Sequence, residues 1–519
     1  MALTSGAVNR RSGRRLSLVG VLLALGLLVT ATATAPRGAA TGPDPAAVTG
    51  PLHLHGRWLR DAQGRTVVLH GLFGVWKVPG LWGPTDSNTD PAGFTTADAA
   101  HVAALGFDGF RLGYVWEGLE GTQGSYDAAY LDNLARVQHD LGAVGVFSVI
   151  DSHQDMYSSA FHGDGAPAWA LHSDGLTLAT DLGFPLNYFT PVVQRNFDNL
   201  WRNDAGVLTA YTDQLRAVAA RFAGNPMVVG YDLVNEPFPG SFAGACAAKT
   251  GCPGWDAAVL RPSEEAMARS IRKVTGSQLA FYEPTFFFNS GVPSGLYRGL
   301  NAAAPDGLSF HVQCEARAYA KVTGDKAGAL EMERKICPAE NARTMANGIA
   351  TAARLHGQPL ITEIAAAFDD DTEGLECLFE QADVDRLGWT YGLSWRSGEL
   401  RNLSHDKQLV LSRAYPEAVA GDPLTYGFNP RTGHFRLTYT PRADAHGPTV
   451  VYLPVADQYP NGYTVAVSGG RVTSAPGASR LTVATTAKST RVSVSVLPKA
   501  GAAPVARSSV PACTTLAAP

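Results

Sequence analysis

Residues 228–236 read VVGYDLVNE, an apolar run that ends in an asparagine and a glutamate. Valine and tyrosine favour extended structure, and a near-continuous apolar run is typical of a strand buried on both faces of a parallel sheet. The 519-residue chain has seven more such runs. The eight runs are Val67–Phe73, Phe107–Gly113, Ala143–Asp151, Val228–Glu236, Leu279–Pro284, Leu308–Val312, Leu360–Ile364 and Leu387–Trp395.

Amphipathic segments separate several of these runs, for example Tyr130–Leu141 and Tyr211–Phe222. Strands that alternate with helices form a parallel sheet covered by helices, and eight such units predict an α/β fold, the (β/α)8 TIM barrel. A doubly wound open sheet is the structural alternative. No glycine-rich phosphate fingerprint follows the first strand, which disfavours the open sheet.

The pattern changes after about Gly421, where apolar and polar residues alternate between turn residues. Five segments show this alternation: Phe435–Tyr439, Thr449–Leu453, Tyr463–Val467, Arg480–Val483 and Thr490–Val496. They predict a C-terminal antiparallel β-sandwich. We therefore expect a catalytic barrel over residues 52–420, a β-sandwich domain over 421–499 and a flexible tail over 500–519.

The N-terminus has the composition of an export signal. Four arginines between positions 10 and 15 precede the apolar run Leu16–Val29, and small residues at 31–35 offer cleavage sites. The run is shorter than the ~20 residues that span a bilayer. We expect a cleaved signal peptide over 1–35, a linker over 36–51 and secretion of the mature chain, with an uncleaved anchor as the alternative.

Six cysteines fit an exported protein. Proximity suggests the pairs Cys246 with Cys252 and Cys314 with Cys337, although six cysteines allow 15 full pairings. The spacings do not match a zinc site. The formal net charge of −4 offers no basic field for nucleic acid. We expect a monomer with no nucleic-acid partner.

Two carboxylates come at the ends of predicted barrel strands. Glu236 ends the fourth run, and Glu363 lies at the end of the seventh. Because the carboxyl ends of barrel strands line the active site, the two should face each other. A protonated carboxyl beside an ionised one is the apparatus of glycoside hydrolysis, and a separation of ~5–5.5 Å gives retention of configuration.

Three further strings make the chain similar to glycoside hydrolase family 5, and within it to the endoglycoceramidases. They are Asp151–Ser158 (DSHQDMYS), Gly165–Ala170 (GAPAWA) and Tyr231–Phe238 (YDLVNEPF) preceded by AARF at 219–222. The resemblance extends from about Leu52 to Leu497. It implies a secreted barrel with a β-sandwich that cleaves the bond between a glycan and ceramide, without a cofactor.

The resemblance also implies roles at the reacting carbon. Glu236 would be the acid/base and Glu363 the nucleophile. Asn235 would hydrogen-bond the sugar 2-hydroxyl, and Arg111 would pair with the nucleophile and keep it ionised.

Further sugar contacts are implied at the ends of the first and third strands. His153 and Asp155 would bind sugar hydroxyls, and Lys77 matches a sugar-binding lysine of the family. A solvated surface lysine is the alternative for Lys77.

The chain departs from the family pattern on strands six and eight. The family usually has His-x-Tyr on strand six; here His311 is retained and Gln313 replaces the tyrosine. Strand eight usually ends Tyr-Trp; here Tyr391 is followed by glycine. Trp389 and Trp395 are the candidates for a sugar platform, and filling of the core is the alternative for either. These changes spare the two glutamates. They favour a changed first sugar, galactose rather than glucose next to ceramide, as a hypothesis.

A ceramide substrate needs an apolar groove. The loop Trp76–Trp82 and the insert Ala160–Thr190, with Phe161, Trp169 and two further phenylalanines, are candidates for its wall; ordinary loop packing is the alternative. We expect the substrate to be a glycosphingolipid, presented at a membrane or micelle surface.

Three other functions stay open from the sequence. One is a β-glucosidase for steryl glucosides or another lipid glycoside, and a second is a non-catalytic carbohydrate-binding protein. The third is a metal enzyme, because His153 and Asp155 are two positions apart; no third ligand is evident, so we expect no metal.

Overall fold

The computed structural model describes residues 47–77, 82–87, 89–90, 92–297, 306–365, 372–394, 400 and 403–499. The expected signal peptide (1–35), residues 36–46 of the expected linker and the expected tail (500–519) lie outside these ranges. Within them, none of the helices has both the length and the apolar character needed to cross a membrane.

Nineteen strands are found in this part of the chain. They are β1 (His53–His55), β2 (Trp58–Arg60), β3 (Thr66–Val67), β4 (His70–Val75), β5 (Gly109–Val115), β6 (Phe147–His153), β7 (Val228–Asp232), β8 (Leu279–Tyr282), β9 (Asp306–Val312), β10 (Gln358–Ile364), β11 (Gly388–Ser394), β12 (Tyr415–Val419), β13 (Gly421–Asn429), β14 (His434–Pro441), β15 (Thr449–Tyr452), β16 (Tyr463–Ser468), β17 (Gly470–Val472), β18 (Arg480–Thr485) and β19 (Val492–Pro498).

The α-helices are α1 (Thr96–Ala104), α2 (Trp116–Leu119), α3 (Ala128–Ala143), α4 (Pro191–Trp201), α5 (Val207–Arg221), α6 (Ala243–Cys246), α7 (Pro253–Trp255), α8 (Arg261–Ile271), α9 (Glu315–Thr323), α10 (Lys326–Lys335), α11 (Cys337–Leu355), α12 (Glu373–Asp385), α13 (His405–Leu411) and α14 (Val455–Gln458). Short 3₁₀ segments cover Ser159–Phe161, Ala168–Ala170, Leu186–Phe189, Asp204–Gly206, Gly240–Phe242 and Phe286–Ser290, and a π-helical turn covers Asp256–Leu260.

Strands β4 to β11 close into an eight-stranded barrel in which every neighbouring pair is parallel. All eight predicted runs supply one barrel strand each, so the predicted TIM barrel is confirmed. The two amphipathic segments form α3 and α5. Because all strands run the same way, the ends of β7 and β10, with Glu236 and Glu363, meet at one mouth.

Two antiparallel sheets follow the barrel. One has the order β13-β14-β19-β16, and the other has the order β1-β2-β3-β12-β15-β18-β17. Their apolar side chains share one core, with Phe435 and Leu437 from the first sheet and Val451, Leu481 and Val483 from the second. The predicted C-terminal β-sandwich is confirmed.

The second sheet differs from the expected division at residue 420. Strands β1 to β3 and β12, which lie within the range expected for the barrel, belong to the sandwich. The pairing of β3 with β12 joins them, and the Thr66 hydroxyl donates to the Gly421 carbonyl at 2.7 Å. The reason is that β1 to β3 are two or three residues long, and strands this short gain stability by extending an existing sheet.

Two disulfides in the barrel loops match the pairs suggested by proximity. Cys246 bonds Cys252, and Cys314 bonds Cys337. Cys377 is also disulfide-bonded.

A buried ion pair joins the barrel to the sandwich. Arg413 is fully buried, and its Nη2 lies 2.9 Å from Oδ2 of Asp383 on α12. The guanidinium also lies over the rings of Phe379 in the barrel and Phe428 in the sandwich. Despite this cation, burial raises the pKa of Asp383 to about 6.

We predict that Arg413→Met lowers the free energy of unfolding by about 3–5 kcal/mol, because it leaves the Asp383 carboxyl buried without its counter-charge. Urea unfolding at pH 7 measures the change. Arg221→Met is the matched control, since Arg221 pairs with Asp132 on the surface and its loss should cost less than about 1 kcal/mol. Equal losses in the two variants would contradict the prediction.

Candidate active site

A cavity of about 350 Å³ opens where the barrel strands end. Its lining combines catalytic-type polar groups with apolar side chains. The polar members are Lys77, His153, Asp155, Asn235, Glu236, Asn289, Ser290, Gln313, Glu315 and Glu363, and the others are Phe184, Pro185, Ala247, Phe286, Phe287, Val292 and Cys314.

Glu236 follows β7 in a left-handed backbone conformation, with φ of 47°. Its Oε1 accepts a hydrogen bond from Asn289 Nδ2 at 2.6 Å and lies 2.9 Å from His311 Nδ1. Its backbone N–H donates to Glu283 Oε1 at 2.8 Å. Both side-chain contacts fall on Oε1, so Oε2 is the oxygen that the described residues leave available for a substrate.

Glu363 lies near the end of β10 between two donors. Arg111 Nη1 is 3.3 Å from Oε2, and Gln313 Nε2 donates to Oε1 at 2.9 Å. Burial opposes ionisation of this carboxyl, but the charges of His311, Lys77 and Arg111 together keep its pKa below the ordinary value. Glu363 is therefore a carboxylate at neutral pH, as a nucleophile must be.

Arg111 is a fully buried cation at the base of the cavity. Its Nη2 lies 3.0 Å from Asp151 Oδ1, 2.8 Å from Asp232 Oδ2 and 2.9 Å from Asn235 Oδ1. Burial lowers its pKa, but the surrounding carboxylates more than compensate and raise it. The predicted pairing of Arg111 with Glu363 is present, and it is one contact of several.

Asn235 is held on both sides. Its Oδ1 accepts from Arg111, and its Nδ2 donates to the Gln154 carbonyl at 2.9 Å. Its backbone N–H donates to the Ser152 carbonyl at 3.0 Å. The side chain lines the cavity beside Glu236, so its second amide hydrogen can serve a sugar hydroxyl.

Lys77, His153 and Asp155 form a charged group on the cavity wall. Lys77 Nζ lies 2.5 Å from Asp155 Oδ2, and His153 Nδ1 lies 2.9 Å from Asp151 Oδ2. Burial and Lys77 lower the pKa of His153, yet Asp151 and Asp155 raise it to about 9. Burial likewise opposes ionisation of Asp155, but Lys77 and His153 hold its pKa below the ordinary value. Fixed ionised donors and acceptors of this kind bind sugar hydroxyls well.

A third carboxylate lies beside this group, contrary to the sequence expectation that no third metal ligand exists. Potential ligand atoms of His153, Asp155 and Asp164 all lie within 4.8 Å of one another. The donor set nevertheless suits a metal poorly. The Lys77 ammonium already neutralises Asp155, and His153 is protonated at neutral pH, whereas a metal ligand must be neutral imidazole.

Three predicted substrate contacts lie elsewhere. His311 is fully buried and contacts Glu236, so it supports the acid and does not line the cavity. Trp389 pairs with His70 at the start of β4, and its ring lies 4.3 Å from that of Phe379. It is fully buried at the opposite end of the strands from the cavity, so its prediction as a sugar platform is wrong.

Tyr391 is buried too, with the Lys407 ammonium 5.5 Å from its ring, and it does not line this cavity. Trp395 lies outside the described residues. The position along the strand explains the miss for Trp389, because a residue at the start of a barrel strand lies away from the mouth at which the cavity opens.

The sequence reasoning also missed two functional contacts. Glu283 follows β8 as Glu236 follows β7, so the rule that identified Glu236 applies to it as well. Asn289 lies in a 3₁₀ turn after β8. No pattern in the sequence distinguishes it from a surface asparagine.

A closed parallel barrel with two glutamates at strand ends, one ionised and one hydrogen-bonded by an amide and an imidazole, defines a glycoside hydrolase. The family Cellulase (glycosyl hydrolase family 5) matches residues 61–392, and the Glycoside hydrolase family 5 C-terminal domain matches residues 413–496. The chain therefore belongs to glycoside hydrolase family 5. Its similarity to Endoglycoceramidase I from Rhodococcus hoagii places it among the endoglycoceramidases of that family.

The chain is 34% identical over 451 residues to Endoglycoceramidase I from Rhodococcus hoagii, covering 85% of this chain and 87% of that one. Among solved structures it resembles endo-glycoceramidase II from Rhodococcus sp. Compared with its ganglioside GM3 complex, the chain has a TM-score of 0.71 at 28% identity, and the alignment covers 86% of this chain and all of that one. In the lactosyl-enzyme intermediate the TM-score is 0.68 at 28% identity, with 85% and 100% covered.

Proposed function

We propose that the protein is a retaining endo-β-glycosidase that releases the intact sugar portion from ceramide in glycosphingolipids. One observation carries the proposal: a single cavity holds both the glutamate pair and an apolar wall. Glycolipids have a sugar and a lipid joined at the bond that the glutamates would cleave.

The chemistry follows from the partners of each glutamate. Glu363, ionised beside Arg111, attacks the anomeric carbon, while Glu236 protonates the leaving oxygen. Glu236 then takes a proton from water, and that water releases the sugar. A glycosyl intermediate has been trapped in the related endo-glycoceramidase II, which supports the same two-step route here.

The sugar side of the cavity is polar. Lys77, His153, Asp155 and Asn235 all line the cavity. The first three would offer fixed charges to hydroxyl groups, and Asn235 would hydrogen-bond the 2-hydroxyl. Gln313, which replaces the tyrosine usual in the family, contacts the nucleophile directly. This exchange supports a changed first-sugar preference, galactose rather than glucose, as the hypothesis to test.

The lipid side is aromatic. Phe184 and Phe189 are both 43% exposed, and Phe286 and Phe287 are packed edge to face with ring centroids 5.6 Å apart. Phe189 also packs against Phe238 at 5.8 Å. Exposed aromatic surface at a cavity mouth suits an alkyl chain and a lipid or micelle surface.

Two residues expected in this wall have other roles. Phe161 is buried, and the Trp169 indole N–H donates to the Glu120 carbonyl at 2.7 Å. Of the predicted wall, the part of the insert near Phe184 lines the cavity, whereas Trp76 is buried and residues 78–81 lie outside the described residues. Phe286 and Phe287, in the turn after β8, also line the cavity, although the sequence did not point to them.

We also propose that the chain is exported. The two disulfides beside the cavity, Cys246–Cys252 and Cys314–Cys337, suit an oxidising compartment and support this. The cleaved signal peptide and the monomeric state stay predictions.

We predict that the wild-type protein converts detergent-dispersed lactosylceramide or galactosylceramide into intact sugar plus ceramide, and that Glu363→Gln lowers kcat by at least about 10⁴-fold, because an amide cannot attack the anomeric carbon. Mass spectrometry identifies both products. NMR of the released sugar, recorded before mutarotation, should show the β-anomer. Cleavage of steryl glucosides but of neither ceramide substrate would contradict the proposal.

We predict that Phe184→Ser raises KM for lactosylceramide about 5- to 10-fold with little change in KM for a soluble aryl lactoside, since it removes part of the apolar wall. Steady-state kinetics on the two substrates measures the difference. Phe242→Ser is the control, because Phe242 is 54% exposed and lies outside the cavity lining. Equal effects of both variants, or of one variant on both substrates, would show that Phe184 does not contact the lipid.

A further inference from the structure

A closed loop of contacts runs from Glu236 through two buried side chains and back. His311 Nδ1 lies 2.9 Å from Glu236 Oε1, and His311 Nε2 lies 3.4 Å from Glu283 Oε1. The same Glu283 oxygen accepts the Glu236 backbone N–H at 2.8 Å. His311 and Glu283 are both at least 99% buried, so water does not compete for these positions.

The nitrogen of the His311 imidazole that carries the hydrogen determines which carboxyl oxygen of Glu236 carries the acidic proton. Asn289 already donates to Glu236 Oε1. If His311 Nδ1 also carries a hydrogen and donates to Oε1, the acidic proton of Glu236 must reside on Oε2, the oxygen left for the leaving group. If the hydrogen is on Nε2 alone, Nδ1 is an acceptor and draws the acidic proton to Oε1, away from the substrate.

Glu283 lies beside Nε2 of His311, so its protonation state can determine which nitrogen of the imidazole carries the hydrogen. His311 Nε2 lies 3.4 Å from Glu283 Oε1 and has no hydrogen-bond partner within the described residues. As a carboxylic acid, Glu283 can donate its proton to Nε2, and Nδ1 then carries the hydrogen of the neutral imidazole. As a carboxylate, it would accept a hydrogen on Nε2 instead, which leaves Nδ1 without a hydrogen unless the imidazole is a cation. The oxygen of a carboxyl group can make this exchange and still accept the Glu236 N–H, whereas an amide oxygen accepts only.

Charged groups from several elements face Glu283. Asp232 and Arg111 approach from β7 and β5, with Arg111 Nη2 3.6 Å from Glu283 Oε2. Glu264 on α8 accepts the Glu283 backbone N–H at 2.8 Å. Burial first, and Asp232 next, raise the pKa of Glu283 well above its ordinary value, which supports the proton-donating form.

We propose that Glu283 is a positioning residue that fixes the hydrogen on Nδ1 of His311 and thereby keeps the acidic proton of Glu236 on the oxygen that faces the leaving group. The inference rests on the proposed acid role of Glu236. Glu236, His311 and Glu283 together gain or lose no proton while the hydrogen is held in this position. In the reaction the Oε2–H bond of Glu236 breaks, and the glycosidic oxygen gains that proton as its bond to the anomeric carbon breaks.

The test is the dependence of kcat/KM on the leaving group in Glu283→Gln. A 2,4-dinitrophenyl β-lactoside needs no proton from the acid, whereas lactosylceramide does. We expect the variant to lose at least about tenfold more kcat/KM on lactosylceramide than on the aryl lactoside. Equal losses of kcat/KM on the two substrates would overturn the proposal, because a general structural defect lowers kcat/KM for both.

Glu264→Gln is the matched control. Glu264 is a second buried carboxyl that accepts a backbone N–H of the same segment, but it makes no contact with His311 among the described residues. Loss of the Glu264 carboxylate should lower kcat/KM for both substrates by the same factor. A leaving-group-selective loss equal to that of Glu283→Gln would also overturn the proposal.

If Glu283→Gln does not fold, a measurement on the wild-type chain can still locate the hydrogen on His311. In ¹⁵N-histidine-labelled protein, with His311→Asn used to assign the signal, Nδ1 of His311 should have the chemical shift of a protonated nitrogen at neutral pH. A signal for hydrogen on Nε2 alone would overturn the proposal. Wild-type protein that cleaves neither lactosylceramide nor galactosylceramide would contradict the proposed function, and the nitrogen shifts would still decide the position of the hydrogen. If only galactosylceramide is cleaved, the leaving-group comparison is made with galactosylceramide and 2,4-dinitrophenyl β-galactoside.

Discussion

The buried Arg111 guanidinium is the interaction on which the rest of the site depends. It lies on β5 and contacts Asp151 on β6, Asp232 on β7 and Glu363 on β10, so it joins strands on opposite sides of the barrel. Carboxylates this deeply buried are tolerated only with a counter-charge. Closure of the barrel brings these acids together, and Arg111 offsets their charge. Together with His311 and Lys77 it keeps the pKa of Glu363 below its ordinary value, against the effect of burial.

The two glutamates proposed to carry out catalysis have opposite surroundings. Glu363 faces cations, with Arg111 beside it and Lys77 across the cavity. Glu236 is instead held by the neutral amide of Asn289, by His311 and, through its backbone, by Glu283. A pair of carboxyl groups in such different environments can divide the roles of nucleophile and acid.

Much of the molecule could be predicted from the sequence because barrel strands are continuous apolar runs. Each run ends at the mouth, so the strand pattern alone predicted that Glu236 and Glu363 lie there, and both line the cavity. His153 and Asn235, which also line it, were singled out by the resemblance to the family. The sequence could not show that β1 to β3 join a sheet formed some 350 residues later, since that pairing is set by tertiary contact. The prediction of Trp389 as a sugar platform was wrong for a related reason. Its apolar run was identified, but its position at the buried start of the strand depends on the register of the barrel. Glu283 obeyed the rule used for Glu236 and was overlooked.

The central claim is that Glu363 forms a covalent bond to the sugar. The most direct test is to incubate the wild-type chain with a 2-deoxy-2-fluoro-β-glycosyl fluoride and map the labelled peptide by mass spectrometry. The fluorine at C2 slows both steps, and the reactive fluoride leaving group restores the rate of the first step only, so the intermediate accumulates. The account predicts one sugar per chain on the peptide that contains Glu363. An unlabelled but active protein, or a label on the Glu236 peptide, would contradict it.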